Sequence, residues 1–220
     1  LYVLVITIIP VLLSTTIYNI TSFLDMGAFK QIAAFQGYQA REYSTMWGIY
    51  VGEYKVLVNV PIAIASSLSA SSVPSLSTAF AAKDIAQVKR KVAYSIRFIM
   101  VIAIPCAVGM GVLASPILQL LFQDSRELPA RMMQIGAVSI VFYSLSTLSN
   151  GILQGINRMN IPVRNAAITL VLHIGVLAAL MYGLDLNIYA VVWANTFFSF
   201  VMCILNGLAI KKYLKYRQEV

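Results

Sequence analysis

The chain has 220 residues, of which 60% are hydrophobic and only 11% charged, and its mean hydropathy is +0.81. Soluble domains carry about 45–50% apolar and about 25% charged residues, so this composition excludes a water-soluble globular fold, which would need a charged exterior that these side chains cannot supply. The net charge of +8 forms no basic stripe interleaved with aromatics, so the expected partner is a lipid bilayer and not nucleic acid.

A helix needs about 20 apolar residues to span the hydrocarbon. The first such run is Leu1–Leu24, which contains Pro10, carries Asn19 near its far end and is closed by Asp25. It opens without a basic n-region or a small-residue cleavage site, so a signal peptide is not expected and the chain reads as a piece of a longer protein. Asp25 to Lys55 reads as the longest outer connection, with the mixed charges Lys30, Arg41, Glu42 and Glu53. Glu53 opens the second helix, where a carboxylate suits the positive helix end.

The second run, Val56–Ala82, places Ala63, Ser67, Ser71, Ser75 and Ala79 at every fourth position, and Pro61 and Pro74 lie inside it. Small residues at that spacing permit close backbone approach between membrane helices, while each proline deletes a backbone donor. Two readings follow: a tightly packed interior helix, or a bent, hydroxyl-lined helix bordering a water-filled cavity. The third helix, about 92–122, is uncharged from Phe98 to Phe122 and is interrupted by Pro105, Gly109, Gly111 and Pro116. The fourth is Met132–Ile156, and the fifth and sixth are Ala166–Leu184 and Leu186–Ile210. The last two are divided at Gly183-Leu184-Asp185-Leu186-Asn187, a cluster of turn residues. The expectation is an all-α membrane protein, a six-transmembrane-helix bundle over residues 1–220.

The charges between these runs sort into two sets. One holds Lys83, Lys89, Arg90, Lys91, Arg97, Arg158, Arg164, Lys211, Lys212, Lys215 and Arg217 against only Asp84 and Glu219. The other mixes Lys30, Arg41, Lys55, Arg126 and Arg131 with Asp25, Glu42, Glu53, Asp124, Glu127 and Asp185. Short cytoplasmic loops are rich in Lys and Arg, so Lys83, Lys89, Arg90, Lys91 and Arg97 set the topology and both termini face the cytoplasm. Binding of anionic lipid headgroups is the functional alternative for that cluster.

Within the six runs no Asp, Glu or Lys falls at mid-depth, so an ion-coupling carboxylate would have to come from outside them. Asn19, Asn59, Asn150, Gln154, His173, Asn195 and Asn206 remain as uncharged polar groups, and most read as interhelical hydrogen-bond glue. Asn19 and Asn59, close to Asp25 and Lys55, are candidates to line a polar cavity. His173 has no Cys or acidic neighbour in sequence, and Cys106 and Cys203 lie in apolar runs as small hydrophobes. No nucleophile motif, phosphate loop or carboxylate pair is present, so no catalytic residue, metal or cofactor is expected.

The run from Tyr50 to Phe122 resembles the stage V sporulation protein B and polysaccharide-exporter branch of the multidrug/oligosaccharidyl-lipid/polysaccharide flippase superfamily. The residues that carry the likeness are Gly52, Tyr54 and Pro61, Val73-Pro74-Ser75-Leu76-Ser77, the basic turn to Arg97, Pro105, Gly109, Leu113-Ala114-Ser115-Pro116 and Leu121-Phe122. Leu153 to Pro162 looks like that branch's next cytoplasmic turn, and Asn19 with Asp25 looks like its first-helix asparagine and aspartate. The resemblance implies one lobe of a MATE-like two-lobe transporter with the N-terminal lobe absent, sited in a bacterial cytoplasmic membrane. It implies alternating access that flips an undecaprenyl-pyrophosphate-linked oligosaccharide for polysaccharide, cell-wall or spore assembly. A multidrug and cation antiporter and a non-transporting scaffold of a polysaccharide assembly complex stand as alternatives. The substrate-cavity candidates are Asn19, Asp25, Glu53, Lys55, Asn59, Ser67 and Ser71.

Overall fold

The computed structural model describes residues 2–214, with the side chains of Thr16 and of residues 19–214. The tail charges Lys215, Arg217 and Glu219 lie outside the described residues, as does the side chain of Pro10. The described chain is helical throughout: α1 Tyr2–Phe35, α2 Ala40–Ile49, a π-turn Tyr50–Tyr54, α3 Lys55–Ala81, α4 Ile85–Val112, α5 Ala114–Phe122, α6 Glu127–Gly136, α7 Val138–Gly155, α8 Asn160–Leu184 and α9 Ile188–Leu214. Four stretches are long and apolar enough to cross a membrane, Ala40–Ala81, Ile85–Val112, Asn160–Leu184 and Ile188–Leu214, and α6 with α7 makes a fifth if that bent pair is one span. The 34 residues of α1 would extend about 51 Å. The chain is an all-α membrane bundle.

Local chemistry sets where the helices break. Pro116 has no N–H for the Val112 carbonyl and its ring would crowd it, so α4 stops at Val112 and α5 restarts after Leu113. A 48° bend separates α6 from α7. At that bend the Gly136 carbonyl accepts from the Ser139 hydroxyl at 2.6 Å and from the Tyr54 hydroxyl at 3.5 Å, in place of a regular helical partner. A side chain on Gly136 would collide with the Tyr54 ring. The turn between α8 and α9 is made by Asp185 and Asn187, both with φ of +51°, a region that Asp and Asn tolerate because their short side chains bond the local backbone.

In the middle of the bundle α7 packs against α3, α9 and α4, while α1 leans mainly on α8. The α3–α7 seam corrects one expectation from sequence. The buried side of α3 is Pro61, Ala65, Ser69, Ser72, Leu76 and Ala79, whereas Ala63, Ser67, Ser71 and Ser75 are exposed. The small residues that allow close approach belong to the partner: Gly151 abuts Ser69, and Gly155 abuts Leu76. The fourfold spacing in α3 identifies a face, but only the glycines of α7 decide which face is covered.

The connection from Asp25 to Lys55, read from sequence as a loop, is almost wholly helical. α1 runs ten residues beyond Asp25, and only residues 36–39 interrupt the helix before α2. Consequently Glu53 lies inside a continuous helical path and not at a helix N-terminus. At this end of the bundle Gln36 donates to Asp185 at 2.8 Å and to the Met181 carbonyl at 3.0 Å. At the opposite end Lys83 and Asn157 line one pocket, and the Arg158 guanidinium lies 4.5 Å from the centre of the Tyr213 ring.

Candidate functional site

Asp25 does not cap a span at the surface. It is 1% exposed and packs against His173, which is wholly buried. His173 is thirteen residues after Asn160 and eleven before Leu184, so about 20 Å and about 16 Å of helix lie on its two sides. The expectation of a bundle with no carboxylate at mid-depth is therefore overturned. The physical reason is that a charge ends an apolar window in sequence, whereas here the helix continues and hydrogen bonds from α8 and α9 stabilise the carboxylate.

The imidazole is held at both ring nitrogens. His173 Nδ1 is 2.9 Å from the Ala194 carbonyl, an acceptor. Nε2 is 2.6 Å from Asp25 Oδ1. Asn195 Nδ2 donates to Asp25 Oδ2 at 2.7 Å and to the Val191 carbonyl at 3.0 Å. Its Oδ1 accepts from the Tyr143 hydroxyl at 3.1 Å. The Phe198 ring meets the imidazole edge to face, with centroids 5.7 Å apart.

Beside this cluster lies a cavity of about 290 Å³ between α1, α3, α7 and α9. Its polar lining includes Thr21, Ser22, Lys55, Asn59, Tyr143 and Asn195. Lys55 is a wall residue: Nζ donates to Ser22 Oγ at 3.0 Å and lies 5.5 Å from the centre of the Tyr50 ring. The π-turn and the end of α2 present an aromatic column here, with Tyr50 stacked on Tyr54 at 5.5 Å and tilted against Trp47 at 5.1 Å. Tyr50 is fully buried, lines the cavity, and its hydroxyl has no hydrogen-bond partner among the described residues. Such a group favours an incoming acceptor.

Of the seven candidates from sequence, the structure brings Lys55 and Asn59 into the cavity and Asp25 into the buried pair behind it. Asn19 is exposed on α1, one helical turn before Ser22, and is not part of the lining. Glu53 reaches Arg126 at 3.4 Å, within a cluster in which Arg126 also binds Asp124. The Arg126 guanidinium holds the Asp124 carboxyl down at about 2. Ser67 and Ser71 turn back onto their own helix, donating to the Ala63 and Leu68 carbonyls at 3.0 Å each. Among the basic residues, Lys83, Arg90 and Arg97 are exposed and Lys89 is half-buried, and Lys91 donates to the Ser75 carbonyl at 3.1 Å. Sequence reasoning missed His173 and Asn195 as partners of Asp25, and Tyr50, Tyr143 and Ser22 as cavity groups. A lone imidazole inside an apolar run was the available signal, because a buried ring of that kind needs a polar partner.

A protein-family model, MatE, matches residues 56–179. The chain is 22% identical over 229 residues to the lipid II flippase MurJ of Bacillus subtilis (strain 168), an alignment that covers 90% of this chain and 41% of that protein. The fold is similar to that of a MOP superfamily transporter from Pyrococcus furiosus, with a TM-score of 0.74, 14% identity and coverage of 96% of this chain and 44% of the other. It is also similar to an outward-facing multidrug resistance MATE family transporter of the MOP superfamily, with a TM-score of 0.71, 13% identity and coverage of 94% and 44%. The chain thus spans about two-fifths of the length of the relatives it matches.

Proposed function

The chain belongs to the MatE family, and from that premise we propose that it is the second lobe of a flippase for lipid-linked oligosaccharides, working by alternating access with an N-terminal lobe. The observation that carries this reading is Lys55, a cation fixed by Ser22 in the wall of a polar cavity that opens between α1 and α3. A pyrophosphate-linked saccharide needs a cation on its path, and the unpartnered Tyr50 hydroxyl and Asn59 supply further polar contacts. A cavity of about 290 Å³ suits the anionic head and not the whole substrate, which agrees with a second wall contributed by the other lobe. The similarity to a lipid II flippase supports an undecaprenyl-pyrophosphate carrier and an undecorated or elaborated cell-wall, capsule or spore saccharide.

In this reading the protein resides in a bacterial cytoplasmic membrane with the Lys83-bearing end and both termini inward. The full-length protein, reconstituted in proteoliposomes with a fluorescent lipid-linked oligosaccharide, should speed its appearance in the opposite leaflet, and Lys55→Gln should slow that transfer at least tenfold. Transfer no faster than in empty vesicles removes the proposal.

A second reading, a multidrug and cation antiporter, gains from the buried Asp25, since a carboxylate at mid-depth is the usual device for ion coupling. It predicts efflux of cationic drugs driven by an ion gradient, which the flippase reading does not.

A further inference from the structure

One exposed stripe of α4 has the layout of an amphiphile. Arg90, Tyr94, Arg97, Val101, Ile104 and Val108 follow one another at three- or four-residue steps and are all exposed, so they share one helix face. Arg97 is six residues beyond Lys91, about 9 Å along the axis, and lies inside the membrane-crossing stretch Ile85–Val112. Beside the stripe runs the seam between α3 and α4. Near the Lys83 turn it is closed by Lys91, which donates to the Ser75 carbonyl at 3.1 Å, and by Ser95, which faces Ser72 at 3.5 Å. Past that contact it opens into a groove of about 470 Å³ lined by Leu68, Tyr94, Ser95, Arg97, Phe98 and Val101.

Arg97 lacks a counter-charge. It makes no hydrogen bond or ion pair among the described residues, and α3, α4, α7, α8 and α9 contain no Asp or Glu. The nearest acid along the chain, Asp84, lies thirteen residues earlier, about 20 Å of helix, and accepts from the Gln87 N–H at 2.8 Å. A guanidinium at the edge of the hydrocarbon is costly unless an anion joins it. We propose that the α3–α4 groove is a site for an anionic phospholipid. Arg97 and the Tyr94 hydroxyl hold its phosphate, and one acyl chain lies over Leu68, Phe98 and Val101. The guanidinium fork matches two phosphate oxygens at once, and its apolar stem lets the charged head reach back toward the level of Lys91. Tyr94, one turn nearer that level, occupies the position that tyrosines favour at a membrane–water boundary.

The surroundings select a phospholipid over other occupants. Arg90, two turns from Arg97 on the same face, and the half-buried Lys89 add positive field, which favours a net-negative headgroup over a zwitterionic one. A soluble phosphate would gain the ion pair alone, whereas a lipid adds the apolar contacts of the groove. Another helix suits the exposed face of α3, where Ala63, Ser67, Ser71 and Ser75 permit close approach. None of the six stripe residues of α4 is small. The groove shares no lining residue with the Lys55 cavity, so this site stands whether or not that cavity takes an anion.

The test uses the full-length protein in phosphatidylcholine vesicles with a trace of phosphatidylglycerol that carries a diazirine on its acyl chain. After irradiation the adducts are mapped by mass spectrometry, and they are expected on Leu68, Phe98 or Val101. One basic residue facing an anionic lipid is worth about fivefold in affinity. Replacing part of the matrix by unlabelled phosphatidylglycerol should therefore cut these adducts about fivefold, whereas the same fraction of phosphatidylethanolamine should not. Arg97→Gln should cut them to a similar extent, and Arg97→Lys by less, because the ammonium keeps the charge and loses the fork. Lys212→Gln, at the same end of the bundle, should leave them unchanged. Labelling that phosphatidylglycerol does not compete away, or that Arg97→Gln leaves intact, reduces the contact to ordinary bilayer lipid and overturns the site. Absence of adducts on all three residues means that a protein surface covers the groove, which also overturns it. Displacement by a short-chain prenyl-pyrophosphoryl sugar but not by phosphatidylglycerol assigns the groove to the transported lipid and overturns the phospholipid. The competition is read on the unmodified protein, so the test does not depend on any variant folding.

Discussion

Two buried polar clusters both bridge α8 and α9 and differ in the chemistry of their members. Toward the Arg158 end, Asn165 of α8 donates to Asn206 of α9 at 2.9 Å, and Asn206 donates to Asn150 of α7 at 2.7 Å. Toward the Asp185 end, Asp25 of α1 meets His173 of α8 and Asn195 of α9. The amide ladder is satisfied by groups that never change charge, so it can only hold α7, α8 and α9 in register. The Asp25 cluster instead pairs two ionisable side chains and ties α1 to α8 and α9.

The sharpest way to break this contrast is Asp25→Ala, which leaves His173 Nε2 and the Asn195 amide without a partner in a dry interior. Removing one member of a buried pair costs about 3–5 kcal/mol, so thermal unfolding in detergent should drop strongly. Next in size, Gly155→Val places a side chain where Leu76 packs. Overpacking of this kind costs about 1–3 kcal/mol, and the loss should be the same at every pH. Asn206→Ala opens the amide ladder and should cost about 1–2 kcal/mol, again without pH dependence. A loss as large as that of Asp25→Ala in this variant would erase the distinction drawn between the two clusters.

Smaller effects are expected at the outer ion cluster. Because Arg126 holds Asp124 at about 2, below its ordinary 3.8, the stabilising contribution is complete above the ordinary value and disappears as pH falls through about 2. Arg126→Gln should move that loss up toward the ordinary value, with a change at neutral pH below about 1 kcal/mol. The smallest effect belongs to Ser67→Ala, whose exposed hydroxyl bonds only its own helix. Unfolding should shift by less than about 0.5 kcal/mol, and any larger loss in saccharide transfer would place Ser67 on the transport path in the complete two-lobe protein.

Particular residues show how far the sequence could be read. Gly183 to Asn187 marked the α8–α9 turn because Asp and Asn accept left-handed backbone, a local property. The interruptions at Pro116 were likewise local. Asp25 was misplaced for the opposite reason: it was read as the charge that closes a span, and only the packing of α1 against α8 puts it in the interior. His173 could not find its partner from sequence, since 148 residues separate it from Asp25.

Composition and the spacing of apolar runs by themselves determined that this chain is a helical membrane protein and which turns carry the basic residues, because hydrocarbon solvation acts on each segment independently. Tertiary structure alone decided which face of α3 is covered, that Lys55 lines a cavity, and that Asp25 meets His173. Those outcomes depend on the position of one helix relative to another, and a buried charge is tolerated only where distant hydrogen-bond partners converge on it.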